Sequence, residues 1–177
     1  QILMDRDPDN PVFQSHYAIE SMQAGDYETA LDYFERVLSV LPDDPATLVS
    51  RGHALKTYGR ADDAIASYRR AAGVAPGHGD AWYGLANLKT YRFSDAELTA
   101  MEAAAASPDL DHASRIHIAF ALGKAREDRK DYDKAFEAYA SGNALKHQTV
   151  RYTTEQMQAE LPERLSRHGA VQRRRSK

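Results

Sequence analysis

The sequence predicts an all-α chain built as a short array of antiparallel helix pairs, and three observations carry that prediction. First, similar segments return at a fixed step: Asp7-Pro8-Asp9-Asn10-Pro11, Leu41-Pro42-Asp43-Asp44-Pro45 and Ala75-Pro76-Gly77-His78-Gly79 place Pro8, Pro42 and Pro76 34 residues apart. Ala30 and Ala64, Phe34 and Tyr68, and Gly25 and Gly59 keep that step, and several coincidences in one register mark a repeat rather than chance. Second, alanine is abundant while Gly and Pro fall mostly between helical patterns, as a chain of helices requires. Third, 42% hydrophobic and 28% charged residues over 177 positions suit a folded, water-soluble chain rather than a disordered one.

Elementary packing accounts for the repeated residues. Gly25 and Gly59 sit where the first helix of a pair must end in a left-handed turn. Ala30 and Ala64 are small because the paired helices approach most closely there, at roughly 8 to 10 Å between axes. Phe34 and Tyr68 lie four residues later on the same face and reach towards the next pair. Pro42 and Pro76 stop the second helix, since proline lacks the N–H donor and clashes with the preceding turn.

In chain order, residues 1–10 read as the end of a preceding unit, with apolar Ile2, Leu3 and Met4 before Pro8. Unit one is 11–44 and unit two 45–78. Unit three, 79–110, is two residues short, the deletion falling at Arg92-Phe93-Ser94, with Ser94 as the N-cap of the following helix. Ala96, Ala100, Ala103 and Pro108 return to the pattern. A fourth hairpin, 111–149, has a first helix over about 112–128, a turn at Asp131-Tyr132 and a second helix over about 132–147 that contains Ala135 and Tyr139. Residues 150–177 read as a capping helix and basic tail. Thr153-x2-Gln156 has the form of a capping box, Pro162 should kink the helix near Leu161, and an end unit of such an array needs a cover with a polar outer face.

Trp82-x2-Leu85, Ala30-x3-Phe34, Ala64-x3-Tyr68 and Ala135-x3-Tyr139 together resemble the tetratricopeptide repeat over about residues 11–149. Ala86 and Lys89 depart from it, standing where its signature has Gly and Tyr. The resemblance implies a right-handed superhelix, an α-solenoid whose concave groove, lined by the first helix of each unit, binds a protein or peptide. The inward-facing candidates are then Ser15, Ile19 and Met22; Val49, His53, Lys56 and Thr57; Tyr83, Asn87, Thr90 and Tyr91; and His117, Phe120, Lys124 and Glu127. Asn87 can donate to and accept from an extended backbone, tyrosines offer flat amphipathic area, and Lys56 and Lys124 suit a carboxylate. Any one of these residues taken alone also fits an ordinary helix surface. Chaperone-binding relatives clamp a C-terminal carboxylate with paired Lys and Asn. The facing positions here hold Ser15, Ile19, Ser50, Asp80 and Gly84, which disfavours that ligand.

Catalytic chemistry finds little support. There is no G-x-x-x-x-G-K-[ST] or G-x-G-x-x-G phosphate loop and no H-E-x-x-H. His112 and His117 are five apart, a poor fit to one helical face, so no metal is expected. With no cysteine, disulfides, thiolate metal sites and cysteine nucleophiles are excluded. No apolar run approaches the roughly 18 to 20 residues that span a bilayer, and the expected location is the cytoplasm. Residues 1–50 carry ten acidic residues against Arg6 and Arg36, a balance of −8, whereas 51–177 balance at +5. The run Arg173, Arg174, Arg175, Lys177 reads as a solvated end, since no aromatic interleaving supports nucleic-acid binding. A chain opening at Gln1 reads as a piece of a longer protein.

Asn87-Leu88-Lys89-Thr90-Tyr91-Arg92-Phe93-Ser94-Asp95-Ala96-Glu97, Phe120-Ala121-Leu122-Gly123-Lys124-Ala125, Asp131-Tyr132-Asp133-Lys134-Ala135-Phe136 and Tyr139-Ala140-Ser141-Gly142-Asn143-Ala144-Leu145-Lys146 are unusual for a plain repeat. Over about 82–147 they resemble the region joining repeats to the catalytic domain in bacterial repeat-containing sulfotransferases. That resemblance implies an N-terminal module recruiting substrate for, or dimerising, a catalytic domain that uses 3′-phosphoadenosine-5′-phosphosulfate. The phosphate-binding loop of such a domain is absent from these 177 residues, so no cofactor is expected on them. Three readings stand: a non-catalytic peptide-binding scaffold, a sulfotransferase recruitment module, and an oligomerisation element such as a homodimer.

Overall fold

The computed structural model describes residues 7–149, which form eight helices and no strand. They are α1 (Pro11–Gln23), α2 (Tyr27–Val40), α3 (Pro45–Thr57), α4 (Ala61–Val74), α5 (Gly79–Ala86), α6 (Asp95–Ala105), α7 (His112–Asp128) and α8 (Tyr132–Thr149). One compact unit ends at Asn143, and a second begins at Ala144 within α8, of which only 144–149 are described, all helical. Ile2, Leu3, Met4, the Thr153 capping box, Pro162 and the basic tail lie outside the described residues.

Local chemistry sets the helix ends. Asn10, Asp26, Asp44 and Asp111 accept backbone N–H bonds from Val12, Thr29, Thr47 and Ser114 at 3.0, 3.1, 2.8 and 2.9 Å, satisfying donors that a helix start leaves open. Ser94 and Glu97 form a full reciprocal capping box at the head of α6. The turns after α1 and α3 use Gly25 at φ 86° and Gly59 at φ 90°. The matching turn after α7 uses Lys130 at φ 62°, a left-handed conformation that costs an L-residue about 1–2 kcal/mol.

The packing order is that of an α-solenoid: α1 pairs with α2 and α3 with α4, while α1, α3, α5 and α7 follow one another along one side. Aromatic rings from the second helices lie on small residues of the first. Tyr68 is fully buried between Gly52 of α3 and Gly84 of α5, and Tyr139 lies on Gly123. Ala18, Ala30, Phe34, Ala64 and Ala81 are likewise fully buried. Trp82 Nε1 donates to the Pro76 carbonyl at 2.8 Å, and Gln14 Nε2, at the equivalent place in unit one, donates to Pro8 at 2.8 Å.

The third pair departs from this order. Its first helix stops at Ala86, and α6 packs on α7 rather than on α5. Instead of a glycine turn, the chain tucks Phe93 into the core against Trp82 and Tyr91, with ring centroids 6.4 and 5.1 Å away. Arginines of α7 and the turn after it hold the displaced segment. Arg115 donates to the Ala105, Ser107 and Leu110 carbonyls at 3.1, 3.0 and 3.2 Å, closing the exposed end of α6. Arg126 pairs with Glu102 at 3.0 Å. Arg129 pairs with Asp95 at 2.7 Å and donates to the Phe93 carbonyl at 3.1 Å.

Candidate functional site

On the side formed by α1, α3, α5 and α7, the richest cluster of side chains comes from the last three. Tyr83 of α5 stacks on His117 of α7 with centroids 4.7 Å apart and an interplanar angle of 12°. Phe120, one turn further along α7, lies 6.3 Å from Tyr83 and 6.4 Å from Tyr139. All four rings are half-buried, so each keeps some surface in water. His117 Nδ1 meets Asp80 Oδ1 at 2.7 Å, fixing the imidazole under Tyr83. Asp80 and Lys56 both act electrostatically on His53, which links α3 to the same strip.

His53 Nδ1 and Tyr68 Oη lie 2.8 Å apart. Burial lowers the His53 pKa and the nearby Lys56 ammonium adds to this, while Asp80 opposes it; the ring is therefore neutral at pH 7. Burial pushes the Tyr68 hydroxyl well above its ordinary range, so it stays protonated. His53 thus acts as a hydrogen-bonded wall of the strip rather than a charge. Lys56, half-buried, makes no ion pair among the described residues.

Other predicted groove positions are placed differently. Thr90 and Tyr91 were expected along the first helix of unit three, but that helix ends at Ala86 and both fall beyond it. Tyr91 is a structural residue: its hydroxyl donates to Glu97 Oε1 at 2.5 Å and its ring packs edge-on to Phe93. Burial tends to raise the Glu97 carboxyl, but the bonds from Tyr91 and Ser94 and the Arg69 guanidinium outweigh it and hold the carboxyl below its ordinary range. Asn87 is exposed at the C-terminal end of α5. Lys124 is engaged by Asp128, which Arg92 also approaches at 3.4 Å, so it is not a free cation. Val49 is core. Ile19 and Met22 pack against the core from α1. Thr57 bonds the His53 carbonyl, and Glu127 accepts from Tyr139 Oη at 2.8 Å.

Asp80 was noted in the sequence only as a residue unsuited to a carboxylate clamp, and its pairing with His117 emerges from the structure. No group of three or more His, Cys, Asp or Glu able to hold a metal occurs among the described residues. No described helix is long and apolar enough to cross a membrane.

Residues 45–78 match the tetratricopeptide repeat. Solved structures share the fold of the helical array. The crystal structure of MamA superposes with a TM-score of 0.59 at 18% identity, over 85% of this chain and 86% of that one. A MamA fragment from Desulfovibrio magneticus RS-1 gives 0.54 at 23%, over 76% and 75%. At such identities the likeness is one of fold. An uncharacterized protein from Aquifex aeolicus is 26% identical over 123 residues, 70% of this chain; the chain spans only 16% of that relative.

Proposed function

We propose that this chain is a non-catalytic scaffold that holds an extended segment of a protein partner along the side formed by α1, α3, α5 and α7. The observation that carries the reading is the meeting of Tyr83, His117 and Phe120 across two helices, with Lys56 uncompensated on the neighbouring one. Half-buried aromatic rings give contact area at low entropic cost. Lys56 suits an acidic side chain of the partner, and exposed Asn87 can bond its backbone. Selection from a phage-displayed peptide library tests this. Enriched peptides should bind the wild-type chain and lose tenfold or more in affinity to Lys56→Glu with Asn87→Ala, at a nearly unchanged melting temperature. Failure to enrich any peptide, or equal binding by the double variant, would remove the proposal.

The resemblance over residues 82–147 supports a second reading, the recruitment arm of a sulfotransferase. The feature favouring it is the 87–94 stretch, which departs from a regular hairpin and is tied down by Arg92 and Arg129. Reading the parent gene beyond Lys177 tests it. A strand followed by a phosphate-binding loop supports this reading, and a stop codon close by removes it.

A further inference from the structure

Between α2 and α4, with α3 behind them, lies a cavity of about 340 Å³. Leu48 and Arg51 of α3 line it, whereas His53 and Lys56 of the same helix do not, so it is separate from the strip described above. Buried Leu48 and Ser67 lie deepest in it, Leu38 and Ala66 add apolar surface towards the mouth, and Arg51, Arg70, Glu35 and Ser39 supply polar lining. The volume lies at the lower end of the range of pockets that hold small ligands, roughly 300 to 1,000 Å³.

The rim charges are unequal in how firmly they are held. The Arg51 side chain is only 20% exposed, and its Nη1 donates to Ser67 Oγ at 3.3 Å. Ser67, itself buried, donates in turn to the Leu48 carbonyl at 2.9 Å. The counter-carboxylate, Glu35, is 59% exposed and offers one oxygen, Oε1, to both Arg51 Nε and Nη2, at 2.7 and 2.6 Å. Arg70 is matched in the same one-oxygen fashion by exposed Asp43, at 3.2 and 3.1 Å. The Arg51 cation is therefore anchored from within, while both carboxylates hang on the outside. The Arg70–Asp43 pair is exposed on both sides and contributes little, and the Glu35 end of the Arg51 pair stands in solvent. An incoming carboxylate can present both its oxygens to the Arg51 fork, a stronger arrangement than the one it displaces.

We propose that this cavity is a second ligand site, for a carboxylate carried on a short apolar body. The carboxylate sits on Arg51 and Arg70, and the apolar part lies over Leu38, Leu48 and Ala66. Glu35 is the resident competitor that the ligand displaces.

Hexanoate is the probe, titrated into the whole chain and followed by amide chemical shifts. Saturable shifts should centre on Leu48, Arg51 and Ser67. Arg51→Gln should weaken binding tenfold or more, which corresponds to about 1.4 kcal/mol. Glu35→Gln should tighten it severalfold, since the competitor is gone. Hexanol, with the same body and no charge, should bind at least tenfold more weakly than hexanoate. The site is refuted if shifts do not saturate, if hexanol binds equally well, or if Glu35→Gln weakens binding. Glu35 and Arg70 are both more than half exposed. Glu35→Gln and Arg70→Gln therefore keep the test decisive even if Arg51→Gln does not fold.

Discussion

Replacing Gly84 by alanine should destabilise the fold, although alanine is the better helix former. A Cβ at this position would lie 2.6, 2.8 and 2.9 Å from Cε1, Cδ1 and Cζ of Tyr68, inside any ordinary carbon contact. The ring has little room to retreat. A Cβ at Gly52, on the neighbouring helix α3, would lie 2.5 Å from the same ring edge, Tyr68 is fully buried, and its hydroxyl is held by His53 at 2.8 Å. Overpacking of this kind costs about 1–3 kcal/mol. The helix-propensity gain of Gly→Ala offsets up to about 1 kcal/mol of that. The net loss should be about 1–2 kcal/mol, which for a chain of this size lowers the melting temperature by roughly 2 to 8 °C. Gly73→Ala is the internal control. It also lies in a helix, near the end of α4, but a Cβ there meets nothing within 4 Å, so the same substitution should stabilise by up to about 0.5 kcal/mol. Urea and thermal unfolding followed by circular dichroism would measure both. A Gly84→Ala chain as stable as wild type would mean that Tyr68 is not confined as described.

Three further outcomes are expected. Lys130→Gly should raise stability by about 0.5–1 kcal/mol, because glycine relieves the left-handed strain at φ 62° at some entropic cost; a loss in urea unfolding would contradict this. Arg115→Ala strips the Ala105, Ser107 and Leu110 carbonyls of a charged donor and should cost about 2 kcal/mol or more, with hydrogen exchange accelerating first at the end of α6; uniform exchange would argue against a local clasp. His53 has a folded-state pKa below 6.5 through burial, so protonation favours the unfolded chain. Its contribution is complete above pH 6.5 and is lost as pH falls below that value. The drop in melting temperature between pH 7.5 and 5.5 should therefore shrink in His53→Gln, and equal drops in the two chains would show that His53 does not titrate in this way.

The repeat was legible because it is written in residues whose chemistry is local. Pro42 and Pro76, Gly25 and Gly59, and Ala30 and Ala64 each solve one steric problem that recurs every unit. Ser94 was legible as a cap for the same reason, and the structure shows its reciprocal bond with Glu97. Interior glycines were harder, since a glycine inside a helical pattern reads only as a weak spot. Yet Gly52, Ala64 and Tyr68 share their spacing with Gly123, Ala135 and Tyr139, and that shared spacing was the available signal for a ring lying on a bare backbone. Thr90 and Tyr91 were placed on a helix by counting, and counting fails where a helix stops early. Lys124 was expected to suit a partner's carboxylate, but Asp128, four residues on along the same helix face, engages it within the chain.

The early stop of α5 bears directly on the candidate site. In a regular pair the first helix runs three to four turns and lies chiefly against its own partner, as α1 does on α2 and α3 on α4. With only eight residues, α5 offers its own partner little surface, and α6 is drawn instead to α7 by Arg115, Arg126 and Arg129. The long face of α7 then becomes the main neighbour of α5 as well. Gly79 permits the approach: a Cβ there would lie 2.5 Å from the Ser114 backbone, and the Gly79 amide donates to Ser114 Oγ at 3.2 Å. The next residue, Asp80, meets His117, and one turn on Tyr83 meets both His117 and Phe120. The aromatic strip is thus a product of the irregular unit rather than of the repeat. Lengthening the 87–94 segment by two residues, to restore the 34-residue step, should separate Tyr83 from His117 while leaving α1–α4 intact. Loss of peptide binding together with unchanged unfolding of the first two pairs would bear this out; retained binding would show that the regular units alone supply the surface.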